Sequence, residues 1–258
     1  MALVVLASAS GAPGVTTTAL GLALRWPRPV VLVDADPVGG SAVLAGFFRG
    51  QVPHNDAMVQ LVLAGRAGEL AEVLPTVLMP LPDPDAVLLP GPRSHAQAAS
   101  MNELWPGLVD ELRSLDRNGQ DVLVDAGRLG MQHSPTSLVL AADLLLLVCH
   151  SDLPALAAAR QWAERWSTAS TDGLGPSAVA VLLVGEGRPY RAQEVAKVLG
   201  ASVLETMRWD PDGAAMFSRG EPGSRRAGPT FWRDLGAVVA AIDTRVAQAR
   251  CTNAGVAS

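Results

Sequence analysis

Short apolar runs alternate with longer amphipathic segments along this chain. Within each run the apolar residues are continuous, which is typical of parallel strands that helices cover on both faces. The runs lie at residues 3–7, 30–33, 86–89, 122–124, 144–148 and 178–184, with a weaker one at 202–204. Segments with helical spacing lie at residues 16–25, 58–64, 101–115, 153–166 and 192–199. This order predicts an α/β fold with a single doubly wound, mostly parallel sheet flanked by helices.

The end of the chain carries one more helical pattern, at about residues 230–249. Its apolar side chains recur every three or four positions, which predicts packing against the sheet. They are Phe231, Leu235, Val238, Ile242 and Val246. Because no repeat or long linker interrupts the sequence, we expect one domain over residues 1–250 and a flexible tail at 251–258.

The composition excludes several classes of protein. Apolar residues make up 49% of the 258 positions and charged residues 17%, which excludes a disordered chain. Cys149 and Cys251 lie far apart, so neither a disulfide scaffold nor a cysteine zinc site is expected. No apolar stretch is long enough to cross a bilayer, and we expect a cytoplasmic protein without membrane insertion. With a formal net charge of −5, nucleic-acid binding would need a local basic patch.

A glycine-rich loop follows the first predicted strand and leads into the first predicted helix. Its glycines permit a tight turn whose backbone N–H groups point at an anion, and the helix adds its positive dipole end. The hydroxyls of Thr16 and Thr17, at the start of the helix, suit a magnesium ion and a phosphate. An ordinary strand-to-helix turn with threonine caps is the alternative. The candidate ligand-binding residues of the loop are Gly11, Ala12, Pro13, Gly14, Val15, Thr16 and Thr17.

Acidic residues end two further predicted strands. Asp34 and Asp36 follow the second apolar run, and two carboxylates there suit the orientation of a metal-bound or attacking water. A helix cap followed by a turn is the alternative for this pair. Asp125 ends a later run, the usual place of an outer-shell magnesium ligand in phosphate-loop nucleotidases. Since the carboxyl ends of parallel strands meet at one crevice, we expect these three acids beside the glycine-rich loop.

These motifs together resemble those of the ParA/MinD ATPases. Residues 10–19, Ser-Gly-Ala-Pro-Gly-Val-Thr-Thr-Thr-Ala, are similar to the deviant Walker A motif of that family, K-G-G-x-G-K-T-T-T-A. Residues 31–39 resemble its second acidic motif, and residues 121–125 its Walker B motif. The resemblance covers nearly the whole chain, and its later motifs look closest to the TadZ/CpaE-like pilus-positioning proteins and to actinobacterial septum-site relatives. Those motifs lie at residues 89–92, 143–154, 209–212 and 218–222.

The resemblance implies a P-loop nucleotide-binding fold that takes ATP or ADP with Mg²⁺. It implies that Thr16 binds the magnesium ion, that Asp125 orders its water shell and that Asp36 positions the attacking water. Asp34 would belong to the same nucleotide site and support the metal or a dimer. The protein is then expected to be a homodimeric, nucleotide-dependent switch that meets a protein partner at a septum, pole, pilus base or chromosome.

Both lysines of the family's Walker A motif are replaced in this chain. Ser10 stands at the signature lysine that would reach the partner's phosphates, and Val15 at the lysine that would contact the β- and γ-phosphates. Of the 20 basic residues, 19 are arginine and Lys197 is the one lysine, so no nearby lysine can substitute. Arg128, just past Asp125, is the candidate replacement, and a solvated loop charge is its alternative.

The missing lysines are expected to affect hydrolysis more than binding. A hydrogen bond to a charged group contributes about 1.5–3 kcal/mol, whereas a cation that stabilises transition-state charge is worth about 10³–10⁵ in rate. We therefore expect ATP binding with weak or absent hydrolysis. Two alternatives stay open. One is a pseudo-ATPase scaffold that binds partners without nucleotide cycling. The other, less favoured, is a biosynthetic enzyme similar to dethiobiotin synthetase, which also relies on the loop lysine.

Three further features of the sequence are ambiguous. The family reads adenine with an asparagine near the end of its sixth strand, where residues 184–188 of this chain contain none, and Trp209 would either stack on a base or pack in the core. A basic cluster would either contact nucleic acid or form a solvated loop. It comprises Arg219, Arg225, Arg226 and Arg233. The histidines lack metal-ligand spacing; they are His54, His95, His133 and His150.

Overall fold

The computed structural model describes residues 2–221 and 227–256, and its strands within these residues form one sheet. They are β1 (Leu3–Ser8), β2 (Val30–Asp34), β3 (Met79–Pro80), β4 (Ala86–Leu89), β5 (Asp121–Arg128), β6 (Leu144–His150), β7 (Val179–Val184) and β8 (Val203–Met207). Their order in the sheet is β3-β4-β2-β5-β1-β6-β7-β8. Every neighbouring pair is parallel except β3 with β4. The predicted mostly parallel sheet is thereby confirmed.

Helices lie between the strands, as the alternating sequence pattern predicts. They are α1 (Val15–Ala23), α2 (Ala57–Ala67), α3 (Leu70–Val77), α4 (His95–Ser114), α5 (Thr136–Leu140), α6 (Leu153–Thr171), α7 (Ala192–Leu199), α8 (Pro211–Ser218) and α9 (Ala227–Val256). A π-helical turn at Val43–Phe47 and a 3₁₀ turn at Leu115–Asn118 are short additions. The sequence pattern misses β3, α3, α5 and α8, because elements of two to eight residues are too short to show a clear period.

The sheet is buried on both faces, as its continuous apolar runs predict. In β1, Leu3 and Val5 pack on the side of α2, α4 and α6, whereas Val4 and Leu6 pack on the side of α1 and α9. All four side chains are fully buried, because successive strand residues point to opposite faces. The predicted apolar face of α9 is also buried. It consists of Phe231, Leu235, Val238, Ile242 and Val246.

Three adjacent strands end beside the glycine-rich loop. The chain builds the sheet on one side of β1 through β5 and then crosses to the other side with β6. In parallel sheets of this kind, ligands bind beyond the carboxyl ends of the strands at such a reversal. The register pairs Leu6 with Asp125 and Asp125 with Asp34, so the ends of β1, β5 and β2 lie in line.

Two elements extend beyond their predicted limits. β5 pairs with β1 on one side and β2 on the other, and it continues past Asp125 to Arg128. α9 runs to Val256, through residues 251–256 of the predicted tail; the flexibility of that tail and the domain limits stay predictions. Along the described residues, none of the helices combines the length and the apolar character needed to cross a lipid bilayer.

Candidate functional site

A cavity of about 640 Å³ opens beyond the carboxyl ends of β1 and β5. Its volume lies in the range of about 300–1,000 Å³ that is typical of small-molecule sites. One wall is the loop between β1 and α1, and the other is the segment that leads from β8 into α8. All seven predicted loop residues line it: Gly11, Ala12, Pro13, Gly14, Val15, Thr16 and Thr17. We call the first wall the loop end of the cavity and the second, around Trp209, the Trp209 end.

The loop backbone leaves the start of α1 open to an anion. Gly11 and Gly14 adopt left-handed φ angles of 64° and 89°, which residues with side chains rarely adopt. Gly14 directly precedes α1, and it gives the helix no side-chain cap. The N–H groups of the first turn at Val15, Thr16 and Thr17 therefore lack a capping side chain, and the positive end of the helix dipole lies at the cavity. The alternative, a turn capped by a threonine side chain, does not describe this helix start.

Val15 presents an apolar side chain where the related motif has a lysine. It is 7% exposed and packs in the same core cluster as Val4, Leu6 and Leu20. No cation extends from this position into the cavity. The glycines on either side of the substitution nevertheless keep the conformations that an anion-binding turn requires.

Asp34 and Asp125 form a buried pair of carboxylates beside the loop. They lie opposite each other in the β2–β5 ladder and are 4% and 2% exposed. Asp125 Oδ1 accepts a hydrogen bond from Gly127 N at 2.9 Å, and Asp34 Oδ1 accepts one from Asp36 N at 3.4 Å. The Oδ2 atom of each acid has no hydrogen-bond partner among the described residues. Buried polar atoms without partners are rare and point to an absent ion, water or proton.

Burial raises the pKa of both acids. For Asp125, desolvation and then the charge of Asp34 raise the pKa to about 7, against the opposing effect of the Thr16 hydroxyl and the Gly127 N–H. For Asp34, desolvation is again the first cause of the raised pKa, and the charge of Asp36 adds to it. A cation close to the pair would reverse these effects, because an opposite charge favours the ionised carboxylates.

The donors around Asp125 fit a magnesium ion that arrives with a ligand. Thr16 both lines the cavity and interacts with Asp125, so it connects the buried acid to the open space. Over the described part of the chain, no group of three or more His, Cys, Asp or Glu side chains could hold a metal alone. Mg²⁺ commonly takes one or two carboxylates and completes its shell with waters and ligand phosphates. The residues present therefore fit a shared metal site and not an all-protein cage.

Asp36 lines the cavity, whereas Asp34 and Asp125 are buried and do not. This differs from the expectation that all three acids line the crevice, because the β2–β5 ladder covers the other two. Asp36 approaches the end of β5 closely: a Cβ atom at Gly127 would lie 2.4 Å from its Cγ. Gly127 also has a φ of 61°, so both space and conformation require glycine there.

The loop that carries Asp36 is held by the segment that precedes α4. Gly40 N donates to the Pro92 carbonyl at 2.9 Å, and a ring nitrogen of His95 contacts the Pro37 carbonyl at 2.8 Å. A Cβ atom at Gly39 would lie 2.6 Å from the backbone of Ser94. These contacts fix the acidic loop from a side that sequence spacing did not indicate.

Arginines supply the positive charge around the cavity. Arg128, the predicted replacement for the lost lysine, lines the cavity, and its exposed guanidinium has no ion pair within the described residues. Arg208 and Arg219 also line it, and each is paired with an acid. Arg208 Nη2 lies 2.5 Å from Asp234 Oδ1, and Arg219 Nε lies 2.5 Å from an Oε1 of its neighbour Glu221.

The predicted basic cluster does not form one described surface. Arg219 borders the cavity, Arg233 is exposed on α9 and does not line the cavity, and Arg225 and Arg226 lie outside the described residues. Among the histidines, His150 lines the cavity, and the rings of His95 and His133 lie 5.5 Å apart. A contact of the cluster with nucleic acid stays a prediction.

Sequence reasoning missed most of the Trp209 end. Val184, Met207 and Phe231 line the cavity there together with His150 and Trp209. These residues come from β6, β7, β8 and α9, so no local motif connects them. The motif at residues 209–212 was the one signal in the sequence that pointed to this wall.

Comparison with known proteins identifies the fold. A scan of protein-family models finds no match to this sequence, and a search of curated proteins finds none either. The chain is similar to the septum site-determining protein MinD in complex with Mg-ADP from Pyrococcus horikoshii, with a TM-score of 0.70 and 16% identity over 93% of this chain and 95% of that chain.

Two other solved structures are similar to the same extent. A ParA family ATPase from Chlorobium tepidum matches with a TM-score of 0.69 and 16% identity over 92% of this chain and 97% of that chain. A variant of McdA from Cyanothece, in complex with ATP, matches with a TM-score of 0.69 and 18% identity over 94% of this chain and 96% of that chain. The eight-stranded sheet with its flanking helices is thus the P-loop fold of the MinD and ParA ATPases.

Proposed function

We propose that this chain is an ATP-binding, MinD/ParA-like positioning or partitioning protein that acts as a nucleotide-dependent dimeric switch. The observation that carries the proposal is the uncapped start of α1 beside two buried carboxylates with unpartnered oxygens. An anion suits the first feature and a divalent cation the second, and ATP or ADP with Mg²⁺ brings both. Mg-ADP and ATP are also the ligands named for two of the similar structures.

Each predicted residue has a task in this function. The loop amides bind phosphate oxygens, Thr16 holds the magnesium ion, and Asp125 orders its water shell with support from Asp34. Asp36, which lines the cavity, positions the attacking water, and Arg128 neutralises phosphate charge. Bound Mg-ATP supplies a phosphoanhydride that the metal activates.

Hydrolysis is weak or absent in this proposal. The apolar, buried side chain of Val15 cannot stabilise charge on the transferring phosphate. Loss of one charged hydrogen bond weakens binding about 10- to 150-fold, at about 1.4 kcal/mol for each factor of ten. Loss of a cation in the transition state costs about 10³–10⁵ in rate. Nucleotide binding therefore survives the substitution better than turnover.

The cellular role follows from the resemblance of the sequence motifs to the pilus- and septum-positioning branch. The protein acts in the cytoplasm, where a homodimer meets a protein partner at a septum, pole, pilus base or chromosome. The exposed side chain of Val38, two residues after Asp36, lies at the cavity and supports a nucleotide-sensitive contact there.

A pseudo-ATPase scaffold is the second candidate. The packing of Val15 into the apolar core favours it, because this position has lost its polar role. In this case the chain keeps the fold and the surface for partners and does not cycle nucleotide.

Calorimetric titration with ATP and Mg²⁺, followed by mass measurement of the complex, tests the proposal. Micromolar binding with dimerisation is expected. Thr16→Val, which removes the hydroxyl beside Asp125, should weaken the magnesium-dependent part of binding, whereas Thr76→Val on α3 should not. No binding at millimolar ATP would leave the scaffold, and phosphate release well above background would contradict weak hydrolysis.

A further inference from the structure

Trp209 is a large aromatic side chain that borders the cavity without being packed in the core. It is 49% exposed, in contrast to Trp105 and Trp166, which are 2% and 4% exposed. It follows β8 directly and precedes α8. An exposed tryptophan in a cavity wall offers a large apolar face to a ligand. Of the two sequence-based alternatives for Trp209, exposure to a ligand therefore agrees with the structure better than core packing.

Neighbouring side chains hold the Trp209 ring in place. The Arg188 guanidinium lies 5.8 Å from the ring centroid, and the His150 ring meets it edge-on with centroids 5.1 Å apart. A smaller cavity of about 200 Å³ lies between these residues and is bounded also by Val184 and Gly185. A ring that is already held by its neighbours loses little conformational entropy when a ligand stacks on it.

The turn after β7 has few free polar groups with which to read a base edge. Gly185 N donates to the Met207 carbonyl at 2.8 Å, and the Gly185 carbonyl accepts from Ser151 Oγ at 2.6 Å. Arg188 N in turn donates to Ser151 Oγ at 3.0 Å. Discrimination between bases needs donors or acceptors that are left unpaired by the wrong base. In this turn those groups are already bonded to one another.

The other polar groups near Trp209 do not favour one base either. Arg208 is committed to Asp234 through its Nε and Nη2 atoms. His150 lines both cavities, and a neutral imidazole carries one donor and one acceptor nitrogen, so it accommodates either kind of base edge.

We propose that Trp209 is the platform on which a nucleotide base stacks, and that this site discriminates weakly between adenine and guanine. The inference rests on the proposed nucleotide-binding function and specifies its ligand class as purine nucleotides. Stacking needs only a π face, which every base has, and removal of an aromatic platform costs about 5- to 150-fold in affinity. The two purines, which have the same ring system, should then bind within about tenfold of each other.

Calorimetric titration of the full chain with three magnesium-loaded probes tests this inference: ATP, GTP and inorganic tripolyphosphate, which has no base. Trp209→Ala should weaken ATP and GTP alike by about 5- to 150-fold and leave tripolyphosphate within about twofold, and Trp209→Phe should restore most of the loss. Trp162→Ala is the matched control. Trp162 also has an arginine over its ring, Arg165 at 5.4 Å, but does not line the cavity.

Each contrary outcome identifies what fails. Nucleotide affinities that Trp209→Ala leaves unchanged, or a matching loss for tripolyphosphate, would overturn the stacking role. A preference above about 100-fold for either purine would overturn the weak discrimination. Binding of tripolyphosphate with no gain for the nucleotides would remove the base platform and leave the phosphate site. If no probe binds the wild-type chain, the proposed function fails and the platform with it.

Discussion

At the loop end of the cavity, recognition depends on the backbone; at the Trp209 end, it depends on side chains. The loop end offers amides of the first turn of α1 and two carboxylates fixed on one rung of the β2–β5 ladder. The Trp209 end offers an exposed ring held by Arg188 and His150. A site made of backbone keeps its shape when one side chain changes, as at Val15. The Trp209 end has no such reserve, because it depends on one ring.

Restoring the lysine breaks this comparison most directly. Val15→Lys should raise the rate of ATP hydrolysis by about 10³–10⁵, because it adds a cation to a loop that already has the required backbone. Phosphate release under saturating Mg-ATP measures the effect. Val15→Met is the matched control, since it lengthens the side chain without adding charge. Equal rates for the two variants would show that the backbone of the loop end is not competent for catalysis.

The buried acids should make the stability of the ligand-free protein depend on pH. The folded-state pKa of Asp125 is about 7, against about 4 when unfolded, so its contribution is fully present below pH ~4 and is lost as the pH rises through about 7. The raised pKa of Asp34 acts in the same direction. Asp125→Asn removes one such group and should gain on the wild type by up to about 1.4 kcal/mol per pH unit in this window.

Urea unfolding at several pH values measures this difference in the free energy of unfolding. Asp110→Asn, an exposed site on α4, is the control and should run parallel to the wild type. Saturating Mg²⁺ and ATP should reduce the gap, because the cation stabilises the ionised carboxylates. A gap that stays constant between about pH 4 and about pH 7 would contradict the buried pair.

Gly127 tests how closely the acidic loop is fixed at the loop end. Gly127→Ala combines a left-handed φ of 61° with a Cβ atom 2.4 Å from Asp36 Cγ. Gly119→Ala has a similar φ of 68° and nothing within 4 Å, so it isolates the conformational cost of about 1 kcal/mol. The alanine at 127 should cost about 1–3 kcal/mol more in the free energy of unfolding. Equal losses for the two variants would mean that Asp36 moves away freely.

Arg128 is the one side-chain cation that we assign to the loop end, and its removal should have the smallest effect. Arg128→Gln should weaken Mg-ATP binding by about 10- to 150-fold, as expected for the loss of one charged hydrogen bond. Arg233→Gln, which removes an exposed arginine away from the cavity, should leave the affinity unchanged. Calorimetry compares the two, and equal affinities would exclude Arg128 from the site.

The sequence predicts the parts of the site that depend on local pattern. The apolar run of β1, the glycines after it and the acid at the end of β2 each form a short local motif, so the loop end could be expected from the sequence alone. The unpartnered oxygens of Asp34 and Asp125 could not, because burial depends on how strands from distant parts of the chain pair.

The Trp209 end shows why other features were missed. α8 has eight residues, too few for a clear helical period, so the wall that it forms with Trp209 was not predicted. The need for glycine at 127 comes from Asp36, which lies on a different strand-end loop. Such requirements arise from close approach in space and leave no signal in local spacing.

The contacts between the acidic loop and the segment before α4 have a consequence for chimeric proteins. Gly39 packs against the Ser94 backbone, Gly40 bonds to Pro92, and His95 bonds to Pro37. A graft of residues 34–41 into another protein of this fold would meet a foreign surface at these three points. The transferable module is therefore discontinuous: residues 34–41 and 90–95 have to be exchanged together.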